Sequence, residues 1–317
     1  MYEHIDPEPL DHREIPQHCG KFMPRGDRKV DGYARCEMKK WFMIIDVEKC
    51  ENCNNCFLAC KDEHVDNDWP GYAAPQSGQG QSWINIYGKE RGEYPFIDVA
   101  YLPVPCMHCD DAPCIKAAKD GAIKKRPDGV VIIDPIKSRG QKNLVKACPY
   151  DAIQWNEALD TPQKCTLCAH LLDDGWGKTR CVQACPTGAL SLRQADDDEM
   201  NEIIQAENLE VHLPERKTSP RVYYKNLYRF TRSFIGGSVA IRVGDKDECA
   251  EGASVTLLNG GKETVAECMT DGFGDFKFDD LEENSGAYTL RVVYTGYETK
   301  TVEVELTQSV YVGTIFL

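Results

Sequence analysis

The stretch Cys50–Cys60, CENCNNCFLAC, decides how this chain folds. Cys50, Cys53 and Cys56 are each separated by two residues, a spacing that curls the backbone into a loop and turns three thiolates toward one face of an iron–sulfur cubane. Cys60 follows after three more residues, at the start of a helical turn, and points away toward a neighbouring cluster. Zinc sites draw paired ligands from separated knuckles, so the run reads as [4Fe-4S] ligation. Working outward, the same kind of grouping recurs at Cys106, Cys109 and Cys114. It continues at Cys148, followed by Pro149, and at Cys165, Cys168, Cys181 and Cys185, followed by Pro186. Of 16 cysteines, only Cys19, Cys36, Cys249 and Cys268 stand outside these groups.

The middle groups look incomplete until an internal repeat is drawn. IIDVEKC (Ile44–Cys50) aligns with IIDPIKS (Ile132–Ser138), which places Ser138 opposite Cys50 and Cys148 opposite Cys60. Gln141 and Leu144 then stand opposite Cys53 and Cys56. CIKAAKDGAI from Cys114 aligns with CVQACPTGAL from Cys181, which places Ala118 opposite Cys185. Two ferredoxin-like units are therefore folded into each other. In two-cluster proteins of this kind each group gives its last thiolate to the other cluster. Applied here, that exchange yields one set of Cys50, Cys53, Cys56 and Cys185, and a second of Cys60, Cys165, Cys168 and Cys181. A third set is Cys106, Cys109, Cys114 and Cys148. A fourth would need Ser138, Gln141, Leu144 and Ala118, none of which offers a thiolate. The expectation is three [4Fe-4S] clusters and no orphan cysteine among the twelve.

Composition narrows the class. The 317 residues carry 37 Lys+Arg against 51 Asp+Glu, a formal charge of -14, which disfavours nucleic acid, whose phosphates need concentrated positive charge. No run of eighteen apolar residues is present, which predicts no membrane span. The first residues hold neither an apolar signal run nor a twin-arginine pair, which predicts a cytoplasmic protein. In that reducing compartment clustered cysteines are metal ligands; in a secreted chain the same count would read as a disulfide scaffold. No GxGxxG, P-loop or HExxH motif is present, and no nucleophile–base–orienter trio stands out. The residues alone describe a redox subunit whose catalytic partner lies elsewhere.

The fold class expected is α+β, a duplicated ferredoxin-like iron–sulfur domain followed by a small antiparallel β-sandwich. Residues 1–40 read as an arm and 41–194 as the four-group domain, with an insertion at 64–102 containing one short strand near Trp83–Tyr87. Residues 195–237 read as a linker, with one short helix around Met200–Leu209 and the aromatic, basic segment Arg221–Phe230. Residues 238–317 alternate with period 2 between NGG and TDGFGD turns, the pattern of about seven strands. Tyr223, Tyr224, Tyr228 and Phe230 either bury against a partner or pack within the chain. Lys49, Lys61, Lys116 and Lys164 flank ligands and either ease reduction or are solvated surface lysines. His108 is either a packing or a tuning residue. Cys249 and Cys268 are expected as buried thiols. Cys19 and Cys36 pair, stay free or bind metal with His18.

WFMIIDVEKCENCNNCFLACKDEHVDNDWPGY, PCMHCDDAPC, CTLCAHLLDD and PRVYYKNLYRF together resemble the iron–sulfur subunits of the dimethyl-sulfoxide-reductase class of molybdopterin enzymes. The vacated fourth site and the sandwich narrow the resemblance to the transhydroxylase small subunits of that class. The resemblance implies three [4Fe-4S] clusters on the twelve cysteines and no catalytic residue on this chain. It implies a large catalytic subunit carrying molybdenum or tungsten as a bis-pyranopterin guanine dinucleotide, and a Cna-B-like or carboxypeptidase-regulatory-like sandwich. The implied reaction is hydroxyl transfer between polyhydroxylated benzenes such as pyrogallol, with heterodimers open to higher assembly. About forty extra residues before Trp41 depart from the pattern. They leave room for a net oxidoreductase or a reductive aromatic dehydroxylase, and a freestanding polyferredoxin is the remaining alternative.

Overall fold

The computed structural model describes residues 39–317; the expected arm, with Cys19, Cys36 and His18, lies outside the described residues. The segment KWFMIID forms β1 (Lys40–Asp46), with α1 (Asn55–His64) after the first cysteine loop. Then come β2 (Ile84–Glu93), β3 (Phe96–Pro105), α2 (Pro113–Ala117), β4 (Ile123–Lys125), β5 (Val131–Ile133) and α3 (Asn143–Ala147). The body continues with β6 (Gln154–Asn156), β7 (Thr161–Gln163), α4 (Ala169–Asp173), α5 (Arg180–Ala184) and β8 (Leu190–Ala195). After it come α6 (Asp197–Ala206), β9 (Val222–Lys225) and α7 (Tyr228–Thr231).

Unbroken apolarity in β1 has a physical reason. The strand is the centre of a three-stranded sheet, antiparallel to β8 and parallel to β9, so both its edges are paired, and a separate core covers each of its faces. Met43 and Ile45 enter the core around the cysteine loops. Phe42 and Ile44 enter a smaller core with Met200 and Leu209. That second core is closed by α6, whose start is fixed by a capping box between Asp196 and Glu199.

The repeat is visible in the backbone. The antiparallel pair β1·β8 of the outer unit corresponds to β5·β4 of the inner one. The residue two places after the first cysteine is left-handed in each loop: Asn52 (φ 54°), His108 (φ 45°) and Leu167 (φ 55°). Gly140, two places after Ser138, has φ 74°, so the vacated group keeps the turn although it has lost the thiolates. Gly121 (φ 63°) and Gly188 (φ 67°) occupy matching positions after Cys114 and Cys181.

Two regions differ from the sequence reading. The expected single strand near Trp83 is a hairpin, β2·β3, paired in register from Ile84↔Pro105 to Glu93↔Phe96. The sandwich has eight strands in two four-stranded sheets. One sheet holds β10 (Ser233–Val243), flanked by β11 (Lys246–Cys249), β14 (Asp275–Leu281) and β17 (Val310–Phe316). The other runs β13 (Thr264–Met269), β12 (Ser254–Asn259), β15 (Gly286–Val293), β16 (Lys300–Leu306). Their facing side chains make a separate core containing Leu257, Leu290, Phe276 and Phe278. The hairpin carries the sandwich. Gly92 (φ 81°) lets the Phe234 ring approach to 2.6 Å of where a Cβ would sit, and Phe96 packs edge-on against the same ring.

The aromatic segment packs within the protein. Tyr224 is fully buried in the cysteine-loop core and its hydroxyl donates to the Pro103 carbonyl at 2.9 Å. Tyr223 lies against Phe42, while Tyr228 and Phe230 are half-buried. Cys249 is exposed on β11 and Cys268 half-buried on β13 of the opposite sheet, which corrects the expectation of two buried thiols.

Candidate functional site

The twelve clustered cysteines gather into three quartets. Cys60, Cys165, Cys168 and Cys181 line one cavity together with His64, Trp83, Thr166 and Thr179. Cys106, Cys109, Cys114 and Cys148 line another with His108, Tyr150 and Lys164. Cys50 lies within electrostatic reach of Cys185 and Cys53, and Cys56 within reach of Cys50, Cys53 and Cys185. This last quartet is the most open, with Cys53 exposed and only Cys56 buried. The quartets form a row: Cys181 of the second feels Cys56 of the first, and Cys165 of the second feels Cys106 of the third.

Local structure explains how residues distant in sequence meet. Cys185 and Cys148 are the residues at which α5 and α3 end, with extended ψ of 110° and 117°. The following Pro186 and Pro149 forbid continuing the helix. Each sulfur therefore leaves its helix: Cys185 reaches a different quartet from Cys181, and Cys148 joins Cys106, Cys109 and Cys114. The left-handed residues turn their amides back onto sulfur: Leu167 N–H donates to Cys165 Sγ at 3.3 Å and His108 N–H to Cys106 Sγ at 3.5 Å.

As thiols, nine of the twelve resist ionisation. Burial first, then mutual repulsion, pushes Cys109 and Cys165 up to about 12 and Cys56 and Cys148 up to about 11. Burial also drives Cys60 and Cys168 well above the ordinary thiol range. At Cys185 burial pulls upward, but the amides of Leu190, Ala189 and Thr187 and the Thr187 hydroxyl outweigh it and lower the thiol. In the second and third quartets, sulfurs that repel one another around a shared cavity, with amides aimed at them, suit a polycationic iron–sulfur core that favours their ionised form.

Residues 97–195, which hold eight of these cysteines, match the family described as 4Fe-4S dicluster domain. Residues 238–315 match the carboxypeptidase regulatory-like domain. Over 258 residues the sequence is 46% identical to the pyrogallol hydroxytransferase small subunit of Pelobacter acidigallici, covering 80% of this chain and 91% of that one. The chain therefore belongs to the family of pyrogallol hydroxytransferase small subunits. More distant similarity extends to a putative dimethyl sulfoxide reductase iron–sulfur subunit of Halobacterium salinarum, 31% identical over 60% of this chain and 80% of that one. A component of the anaerobic dimethyl sulfoxide reductase of Escherichia coli is 32% identical over 49% of this chain and 73% of its own. As a hydroxytransferase-type small subunit, this protein holds iron–sulfur cofactor and has an electron-handling rather than catalytic role. Among the described residues no helix is long and apolar enough to cross a membrane.

In this hydroxytransferase small subunit the vacated fourth group is plugged rather than open. Leu144 and Ser138 are fully buried, and Ser138 Oγ lies 2.9 Å from Thr161 Oγ1. The Gln141 amide accepts from Lys119 N–H at 2.9 Å and donates to the Lys137 carbonyl at 2.8 Å, which ties the loop at Lys119 to the loop at Lys137.

The four lysines divide. Lys49 and Lys116 are solvated and pair with Asp46 and Asp111. Lys61 donates to the Ser77 carbonyl at 2.7 Å. Lys164 is buried and donates to the carbonyls of Val131 and Cys165, which removes it from the surface class. Several contributors had no signal in the sequence. Lys125 clamps the carbonyls of His108, Cys109 and Gly129 at 2.9–3.0 Å. The Thr179 hydroxyl lies 3.1 Å from Cys181 Sγ. Thr218 bonds the Tyr150 hydroxyl at 2.7 Å and opposes the upward pull of burial on the Cys109 thiol. His64 is buried beside Trp83, and burial lowers its pKa to about 3, helped by His170.

Proposed function

We propose that this chain carries three [4Fe-4S] clusters, held by Cys50/Cys53/Cys56/Cys185, by Cys60/Cys165/Cys168/Cys181 and by Cys106/Cys109/Cys114/Cys148. It serves a cytoplasmic molybdopterin-dependent transhydroxylase of polyhydroxylated benzenes such as pyrogallol. The aromatic chemistry then resides in a large partner subunit carrying molybdenum or tungsten bis-pyranopterin guanine dinucleotide. When bound, the clusters supply one-electron exchange; the chain's own residues fix their spacing and shield them from water. The observation that carries this reading is the assembly of each quartet from loops that the internal repeat pairs. The exposed Cys53, followed on α1 by Leu58, 58% exposed, supports the first quartet as the one facing the partner. Of the division at 41–194, 195–237 and 238–317, the separate core of the sandwich supports the last boundary, whereas residues 195–237 share the cores of the cysteine-rich body.

Metal analysis of the purified complex tests the count. It should return about twelve irons on this chain, four for each cubane, and about eight would overturn the third cluster. Coelution of a large molybdopterin subunit on native sizing is expected; a stable solitary chain would favour a freestanding polyferredoxin. The unbroken row of quartets, from exposed to buried, favours a second reading as a net oxidoreductase or reductive dehydroxylase. A transhydroxylase keeps its product balance when an artificial electron acceptor is added; the second reading requires that balance to change.

A further inference from the structure

His108 sits between two cysteines of the third quartet with its ring almost wholly buried, and it lines the cavity those cysteines share. Its Nδ1 accepts the Val131 amide hydrogen at 2.9 Å. A nitrogen that accepts cannot carry the proton, so the neutral ring bears its hydrogen on Nε2. Val131 is held on its other side too, where its carbonyl takes a bond from Lys164. The His108 carbonyl is held by Lys125. The tautomer and the ring's position are thus fixed from outside the quartet. Nε2–H, by contrast, is buried and has no partner among the described residues. Buried donors are ordinarily satisfied. His64 and Thr166 also leave unpartnered atoms in the second cavity, but no comparable backbone bond sets which ring nitrogen of His64 carries the hydrogen.

We infer that His108 Nε2–H donates a hydrogen bond to a sulfur of the cluster held by Cys106, Cys109, Cys114 and Cys148, and thereby raises that cluster's reduction potential above what the thiolates alone would set. The inference rests on the cluster assignment proposed above. Reduction adds negative charge that the sulfurs share, so a fixed donor stabilises the reduced state more than the oxidised one.

The test is a potentiometric titration followed by electron paramagnetic resonance on the intact complex with His108→Asn. Asparagine tolerates the left-handed backbone of this position, but it is too short to span from the Val131 amide to the cavity. Iron content should be unchanged, and one of the three clusters should become about tenfold harder to reduce at a fixed potential, about 59 mV for one electron. The other two serve as internal references. An unshifted third cluster, or an equal shift of all three, overturns the inference. A count of about eight irons in the unsubstituted complex instead strikes the cluster assignment itself. Should the variant fail to retain iron, the unsubstituted complex labelled with ¹⁵N-histidine gives an independent reading. A nitrogen coupling to a reduced cluster that persists in His64→Asn supports the bond, and no histidine coupling at any cluster overturns it.

Discussion

Replacing Cys185 by Ala should abolish the cluster of Cys50, Cys53 and Cys56 and leave intact the cluster of Cys181, its neighbour on the same helix. Four residues apart on a continuing helix, the two sulfurs would share a face and serve one site. The helix stops at Ala184, Cys185 turns extended, and Pro186 prevents recovery. Iron should fall from about twelve to about eight, and the resonance lost should be the one lost in Cys50→Ala. Cys181→Ala should lose a different resonance, and Cys50→Ala combined with Cys185→Ala should lose no more than either alone. If Cys181→Ala and Cys185→Ala remove the same cluster, the exchange of last thiolates between units is wrong.

Legibility in the sequence followed the range of the interaction. Cysteine loops are local constraints, in which spacing, a left-handed residue and a following proline set where each sulfur points. The motifs of β1 and β5 exposed the repeat for the same reason, and the loss of thiolates at Ser138, Gln141 and Leu144 was readable one position at a time. The hairpin was not readable. INIYGKERGEYPFIDVAYLPVP interrupts its alternation with Gly88, Gly92 and three prolines, and it buries Arg91 because the sandwich, far along the chain, supplies the counter-charge. The strand count of the sandwich fell short because β11, KDEC, is exposed along its whole length, so no apolar period marks it. Lys164 and His108 were ambiguous for a related reason. Lys164 is held by Val131, 33 residues away, and His108 by the same residue, 23 residues away, and nothing in the residues beside them encodes that contact.

The joint between hairpin and sandwich should show a strong asymmetry between its charges. Asp98 on β3 faces three cations, Arg91, Arg229 and Lys277, and Asp279 on β14 faces Arg91 and Lys277. Arg91 is 1% exposed and lies over the Phe234 ring. Asp98→Ala leaves three clustered cations against one carboxylate, and breaking a buried pair from one side costs about 3–5 kcal/mol. With a urea m-value of about 2 kcal/mol/M, the midpoint should fall by roughly 2 M. Arg91→Met should cost far less. It leaves two cations facing two carboxylates, removes a buried guanidinium nitrogen that has no partner among the described residues, and keeps an unbranched side chain against Phe234. Acid should act like Asp98→Ala. Burial alone would raise both carboxyls, but the bonds from Lys277 and Arg91 outweigh it and hold Asp98 and Asp279 below their ordinary range. Groups depressed in this way contribute above the unfolded pKa of about 4, and that contribution fades as pH falls below it toward the folded values. The wild-type midpoint should therefore drop on acidification below about pH 4, and the Asp98→Ala midpoint should drop less. Equal costs for Asp98→Ala and Arg91→Met would mean that packing on Phe234, rather than charge, holds the sandwich to the hairpin.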